Sequence, residues 1–345
     1  MNRTEKTIGL AILFLAIVLL PGPSKKPFAA DKPEAEKKEI IAQAEEAKTS
    51  DAKELLNRAD EVFRKKQYAE SRKIYQQALE AAKAEGNNSD MTEAMAMIAR
   101  TCLIGDDKKS GYHWLNSAEK LALPQEPLGW SRVQSVRGRF LWQEKRLIEA
   151  TKLFKELYQY CSDRKLHERA IDAAHMVAIT ADHEEQIIWG KKGIREAEAG
   201  SVTGWLGPLW NNLGVTYEDM EQYDSSLAAY KKAREYHYRH GTESNKMIAD
   251  WAVGHAFLNL KDYDEAEKWL EPLVEWCEKL EDNEFLGFTC RDLGKVNLAG
   301  EKYQSALDYF IRAEKLLKEA GMPDWNAEGY DKLLNQIKEL RRKIE

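Results

Sequence analysis

The sequence has few cysteines and none of the short motifs that mark common catalytic sites. Its four cysteines form no CxxC pair and have no nearby HxxxH, which excludes a zinc finger and a thioredoxin-like redox site. No GxSxG, P-loop, HExxH or GxGxxG after a strand occurs, and no strand-like alternation of apolar residues is evident. We therefore expect a protein that is not an enzyme, with no cofactor and no metal.

The chain also has no block of like charge. Lys plus Arg (52) against Asp plus Glu (58) gives a net charge of −6, and the two signs are interleaved. Because affinity for duplex nucleic acid rests largely on basic residues that neutralise phosphates, we expect no nucleic-acid partner. At 345 residues with 43% apolar content, the chain can form two ordinary domains or one elongated array.

The one long apolar run lies at the N-terminus. Arg3 and Lys6 precede TIGLAILFLAIVLL, a run of 14 mostly apolar residues that PGP ends. A bilayer span needs about 20 apolar residues, so this run is short for a span and suits a secretory signal. Residues 1–30 are predicted to be a signal peptide, giving a periplasmic or extracellular protein, or else a membrane anchor through residues 7–23. Residues 31–50 are interpreted as a charged helical or flexible spacer, so membrane contact is expected only through the N-terminal segment.

One spacing pattern of small and bulky residues recurs along the rest of the chain. A small residue is followed after twelve positions by a second small residue, then after four by a bulky one and after three by a small one. The second small residue falls at 71, 111, 150, 186, 226, 266 and 306, a period of about 40. The units are Ala59, Ser71, Tyr75 and Ala78; Ala99, Gly111, Leu115 and Ala118; Gly138, Ala150, Phe154 and Leu157; a weaker Ala174, Gln186, Gly190 and Gly193; Gly214, Ser226, Tyr230 and Ala233; Gly254, Ala266, Leu270 and Leu273; and Gly294, Ala306, Phe310 and Ala313.

Each unit reads as two amphipathic helices, A and B, joined by a short polar turn such as MEQYD. Two antiparallel helices approach closely only where side chains are small, so Gly214 is expected to face Ser226. A lone hairpin cannot bury both faces, and we therefore expect the hairpins to stack into a solenoid.

The pattern resembles the tetratricopeptide repeat (TPR) family. The residues that carry the resemblance are Trp210, Leu213, Gly214, Tyr217, Ser226, Tyr230 and Ala233. The resemblance implies an all-α, right-handed superhelical solenoid of antiparallel helix hairpins, with about seven repeats over residues 51–322. The period exceeds the usual 34 residues, which predicts longer helices. The fourth unit has Gly190 in place of the bulky residue, so its packing is expected to differ.

The last residues, 323–345, are predicted to form a capping helix. Gly321 suits a helix end and Asp324 an N-cap. The predicted apolar face consists of Tyr330, Leu333, Leu334, Ile337, Leu340 and Ile344. A dimerising coiled coil is the alternative.

The resemblance implies a concave groove lined by the A helices, and with it a candidate binding set. Trp and Arg dominate binding hot spots, and Asn pairs with peptide backbone. The set is Arg132, Arg139, Trp142, His175, Asn211, Asn212, Trp251, His255, Arg291 and Lys295. In the alternative interpretation, Trp142 and Trp251 pack between helices and the charges are solvated. Cys277 and Cys290 flank one loop, as free thiols or as a disulfide.

These observations lead to two functional hypotheses. The first is a non-catalytic, exported or membrane-tethered scaffold that binds a protein or peptide in its concave groove. The second is a regulatory sensor that binds a small molecule or short peptide inside the superhelix.

Overall fold

The computed structural model describes residues 51–345, which are helical and include no strand. The predictions for residues 1–50 lie outside the described residues. The described chain consists of two compact units, an N-terminal unit of residues 51–181 and a C-terminal unit of residues 182–345. The all-α prediction is confirmed for this part of the chain.

In the N-terminal unit, seven helices form hairpins in chain order. They are α1 (Ala52–Arg64), α2 (Tyr68–Glu85), α3 (Asn88–Ile104), α4 (Lys108–Leu121), α5 (Pro127–Gln143), α6 (Leu147–Asp163) and α7 (His167–Thr180). Helices α1, α3, α5 and α7 are the predicted A helices, and α2, α4 and α6 are the B helices. Each packs against its neighbours in the sequence, and α3 also contacts α5, the next A helix.

The C-terminal unit continues the hairpin pattern. Its elements are α8 (His183–Ala199), a 3₁₀ turn (Thr203–Trp205), α9 (Leu206–Asp219), α10 (Tyr223–His240), α11 (Glu243–Asn259), α12 (Tyr263–Lys279), α13 (Asn283–Ala299), α14 (Tyr303–Glu319), α15 (Met322–Trp325) and α16 (Ala327–Ile344). Of the described helices, eleven have 17 or 18 residues, as the 40-residue period predicts.

The same turn ends the A helix in six of the hairpins. Lys66, Asp106, Lys145, Glu221, Lys261 and Glu301 all have left-handed backbone, with φ between 56° and 63°. The next residue's amide bonds to the carbonyl five positions earlier, as Gln67 does to Val62, which is the Schellman pattern. The equivalent residue in the fourth unit, Ala181, has φ −91° instead. The division between the two units therefore falls at the one turn that departs from the repeat.

The small residue of helix A makes room for the bulky residue of helix B. A Cβ placed on Gly214 would lie 2.4 Å from the ring of Tyr230, and one on Gly138 would lie 2.4 Å from the ring of Phe154. Gly294 relates to Phe310 in the same way, at 2.6 Å. The sequence predicts that Gly214 faces Ser226, and the three atoms nearest to a Cβ at Gly214 all belong to Tyr230, the bulky residue of the same unit.

The small residues of helix B lie in the core of each hairpin. The residues four positions before the bulky one, and the alanines three positions after it, are each at most 1% exposed. They are Ser71, Ala150, Ser226, Ala266 and Ala306 at the first position, and Ala78, Ala118, Ala233 and Ala313 at the second. Where the first residue is Ser71, its hydroxyl donates to the Tyr68 carbonyl of the same helix at 3.0 Å. These residues therefore pack helices together and present no surface to a ligand.

The weak fourth unit has a different packing arrangement, as expected. In place of the bulky residue, Gly190 lies against the next A helix, where an added Cβ would be 2.8 Å from Leu213. The volume that a bulky residue fills in other hairpins is thus taken by a leucine of α9.

The C-terminal helix covers α14, as predicted for a cap, but two details differ. The N-cap of α16 is Asn326, whose side chain accepts from the Gly329 amide, and Asp324 lies within the short helix α15. Leu334 and Ile344 are 40% and 41% exposed, so the buried face is narrower than the predicted one.

Within residues 51–345, no helix is both long and apolar enough to cross a membrane. The four cysteines are free and buried. Cys277 and Cys290 are therefore neighbouring free thiols in this structure, not a disulfide.

We predict that the space beside Gly138 limits stability. Gly138→Ala should lower the free energy of unfolding by about 1–3 kcal/mol, because the new methyl overpacks against Phe154. Urea denaturation measures this, with Gly300→Ala as the control, since the nearest atom to a Cβ there is 3.7 Å away. Adding Phe154→Leu should restore part of the loss. Equal stability of Gly138→Ala and Gly300→Ala would contradict this account.

Candidate functional site

The residue that follows the small residue of helix A is polar in six of the seven units. These residues are Asp60, Arg100, Arg139, His175, His255 and Lys295, and Val215 is the exception. They recur once per repeat and, with their partners in each unit, occupy one side of the A helices. We call this side the helix-A face.

In the N-terminal unit, ion pairs connect all four A helices. Arg132 of α5 donates to Asp60 of α1 at 2.6 Å and to Glu93 of α3 at 3.4 Å. Arg169 of α7 reaches the same Glu93 oxygen at 2.6 Å. The Glu93 side chain is only 2% exposed, and Tyr75 donates a hydrogen bond to Asp60. Burial favours neutral Glu93, but Arg169 and Arg132 outweigh it and lower its pKa.

A second group lies farther along the same face. Arg139 is 7% exposed and donates to Asp172 of α7 at 2.6 Å and to the Ser135 carbonyl at 3.1 Å. Ser135 donates to the other oxygen of Asp172 at 2.9 Å. Burial favours a neutral Asp172, but Arg139 and Arg100 lower its pKa well below the usual range. Burial lowers the pKa of His175 to about 4, so this ring is neutral at pH 7.

In the C-terminal unit, one histidine joins three A helices. His255 of α11 lies with Nδ1 2.7 Å from Asp292 of α13 and Nε2 3.0 Å from Glu218 of α9. Burial lowers the pKa of His255, but Asp292 and Glu218 outweigh it and raise the pKa to about 9. The ring is therefore protonated at pH 7 and donates to both carboxylates. Arg291 and Lys295 also pair with Asp292, at 3.0 and 3.3 Å.

The predicted binding set divides by burial. Trp251 is 1% exposed, with its ring stacked on His255 at 4.8 Å and edge-on to Phe285 at 5.5 Å. The structure thus favours the alternative interpretation for Trp251, packing between helices. Asn211 and Asn212 are also buried, whereas Trp142 is half-buried.

Basic side chains of the predicted set keep some contact with solvent. The side chains of Arg132, Arg291 and Lys295 are 14%, 18% and 34% exposed. The structure brings Arg132 and Arg139 together in one unit, and His255, Arg291 and Lys295 in the other. Because these side chains form ion pairs with carboxylates, the alternative interpretation that the charges are simply solvated is wrong for them.

Sequence reasoning missed five carboxylates and two arginines of the helix-A face. These residues are Asp60, Glu93, Arg100, Arg169, Asp172, Glu218 and Asp292. A usable signal existed for Asp60 and Arg100, because they occupy the register position of Arg139 and His255. Within the described part of the chain, no group of three or more His, Cys, Asp or Glu side chains is arranged to hold a metal.

We predict that His255 makes the free energy of unfolding fall as the pH rises into the alkaline range. Its folded pKa of about 9 lies above the ordinary 6.5, so its contribution is complete below about pH 6.5 and is lost as pH rises through 9. The loss should be on the order of 3 kcal/mol. His255→Gln should flatten this part of the stability–pH curve measured by urea denaturation. His240→Gln, at the exposed end of α10, serves as the control, and an unchanged curve for His255→Gln would refute the assignment.

Comparison with known proteins adds to the repeat analysis. Residues 245–319 and 207–235 match two tetratricopeptide repeat models. No curated protein matches the sequence.

Solved structures share the fold at low sequence identity. The apo form of RapI is similar with TM-score 0.64 and 17% identity, over 80% of this chain and 79% of that one. A signal transduction ATPase from Pyrococcus horikoshii with a tetratricopeptide repeat sensor gives 0.61 and 14%, over 100% of this chain and 54% of that one. Aspartyl phosphate phosphatase F from Bacillus subtilis gives 0.52 and 13%, over 99% and 95%. The resemblance to tetratricopeptide repeat proteins is thereby confirmed, and the fold of the described residues is a TPR-like array of helix hairpins.

Proposed function

We propose that this chain is a non-catalytic, exported or membrane-tethered scaffold that binds a segment of a protein or peptide on its helix-A faces. A TPR-like array of helix hairpins is suited to protein interaction. The proposal adds two points to this general role, namely that the partner binds on the helix-A faces and that the chain is exported or tethered to a membrane.

The observation that carries the proposal is the row of charged side chains on the helix-A face. Removing charges from water is expensive, and a buried ion pair is often no more stable than an apolar pair of the same volume. The B helices pack mainly with residues such as Tyr75, Phe154 and Phe310, all fully buried. Among the described B helices, Glu196 is the one buried Asp, Glu, Lys or Arg, whereas the A helices bury Asp90, Glu93, Arg139, Asp250 and Asp292. Packing of the helices does not require the charged side chains of the helix-A face, and their presence there therefore supports a role in binding a partner.

The chemistry of this face suits a peptide. Arginine presents a planar fork of donors that matches a carboxylate, and Trp and Arg are frequent binding hot spots. Half-buried Trp142 and the partly exposed Arg291 and Lys295 offer these groups. Both acidic and amide-bearing segments would find complementary partners there.

A regulatory sensor is the second candidate. It is favoured by the link from Glu218 through His255 to Asp292, which makes three A helices depend on one protonated ring. A ligand that competes for either carboxylate would change the packing of all three. One of the structurally similar proteins, the signal transduction ATPase from Pyrococcus horikoshii, has a tetratricopeptide repeat sensor. Capture of a small molecule or free short peptide, in place of a folded partner, would favour this candidate.

Support for the exported or tethered part comes from the N-terminal sequence alone, with its basic start and 14-residue run. We predict that the full chain fractionates with the membrane or beyond it, whereas a variant lacking residues 1–30 stays in the cytoplasm. Cell fractionation with immunoblotting measures this. Cytoplasmic recovery of both forms would remove this part of the proposal and leave the binding part intact.

The binding part predicts that a peptide selected from a displayed library by the full chain depends on the helix-A face. Replacing Arg291 and Lys295 by Ala, or Trp142 by Ala, should weaken binding about tenfold or more for the unit concerned. Fluorescence polarisation measures the affinity. The matched control replaces Lys231 and Lys232 of α10 by Ala, which removes the same charge from a B helix.

Circular dichroism of all variants checks that they are folded. If the control weakens binding as much as the helix-A variants, binding lies elsewhere. Selection of no peptide at all would count against the binding part.

A further inference from the structure

The N-terminal unit has one more positive than negative charge on its helix-A face. Four arginines and three carboxylates lie there, namely Arg100, Arg132, Arg139, Arg169, Asp60, Glu93 and Asp172. At the edge of the face, Lys53 lies 3.3 Å from Glu93 and 4.0 Å from Asp90, so Lys53 and Asp90 add one charge of each sign. The excess positive charge is therefore one.

The pairing identifies which arginine is unmatched. Asp60 pairs with Arg132, Glu93 with Arg132, Arg169 and Lys53, and Asp172 with Arg139. These distances are between 2.6 and 3.4 Å, so every carboxylate of the group is occupied.

Arg100 is the remaining cation. Among the contacts of the described residues, it has no ion pair and no hydrogen bond, and its guanidinium lies 4.7 Å from the ring centre of Phe63. Arg100 and Phe63 are both residues of intermediate exposure. Burial and the nearby charge of Arg139 lower the pKa of Arg100 to about 9, although the charge of Asp172 opposes this shift. Asp172 is hydrogen-bonded to Arg139 and not to Arg100.

We propose that Arg100, supported by Phe63 beneath it and by the charge of Arg139, binds one carboxylate of a peptide ligand. This inference rests on the proposed function and names the chemistry of the partner at this unit. A carboxylate carries one negative charge and accepts two parallel bonds from the guanidinium fork. It balances the excess of one, whereas the second charge of a phosphate would be unmatched beside Asp60, Glu93 and Asp172.

The first test measures discrimination by the full chain on a peptide array. Each peptide appears with Glu, Gln or phosphoserine at its centre and an amidated C-terminus, and the Gln form appears also with a free C-terminus. We expect at least tenfold tighter binding of Glu, or of the free C-terminus, over the amidated Gln form. The two carboxylate forms distinguish a side chain from a chain end as the source. Arg100→Met should abolish the preference, whereas Arg146→Met, at an exposed ion pair, should keep it.

The second test needs no peptide and separates a binding role from a structural one. Without a ligand, Arg100→Met removes an unmatched charge and should raise the melting temperature by about 2–4 °C. Arg139→Met removes the partner of Asp172 and should lower the melting temperature. In titrations at constant ionic strength, acetate should shift the Arg100 Nε resonance in NMR spectra, whereas chloride should not.

The outcomes are distinguishable. Peptide binding without a carboxylate preference would overturn this inference and leave the proposed function standing. A preference for phosphoserine, or a melting temperature lowered by Arg100→Met, would also overturn it. An acetate shift at Arg100 with no peptide bound would support the anion site and count against the proposed function.

Discussion

The structure depends on the close approach of a small residue in helix A to a bulky residue sixteen positions later in helix B. At Gly138, Gly214 and Gly294, an added Cβ would lie within 2.6 Å of an aromatic ring. Interiors are packed to crystal-like density, so this contact determines the distance between the two helices. The distance, in turn, determines which residues of successive A helices lie side by side. Where the bulky residue is missing, at Gly190, a leucine of the next helix takes the space.

The charges of the helix-A face follow from this spacing. Successive A helices come close enough for an arginine of one to reach a carboxylate of the next, as Arg139 of α5 reaches Asp172 of α7 at 2.6 Å. Such networks hold their members in fixed positions. A cation left without a carboxylate, as Arg100 is, therefore stands out within the network.

Two histidines at the same register position have opposite protonation states. Burial lowers the pKa of His175 to about 4, because the nearby charge of Asp172 does not outweigh the loss of solvation. His255 lies between Asp292 and Glu218, and its pKa is raised to about 9. The neighbouring carboxylates, and not the position in the repeat, decide the charge of the ring. Acidic and alkaline conditions therefore act on different units: acid protonates His175 in the N-terminal unit, and alkali deprotonates His255 in the C-terminal unit.

The sequence by itself determined the hairpins, their period and the positions of Gly138, Gly214 and Gly294, because helical periodicity and small-residue spacing are local properties. It also determined the lengthened helices and the position of the C-terminal cap. Tertiary structure alone decided that Trp251 packs inside, that Asn326 and not Asp324 caps the last helix, and that the units divide after Ala181. It also decided which charges are paired. Burial and ion pairing depend on residues far away in the chain, such as Glu93 for Arg169, and the repeat pattern carries no information about which of them meet.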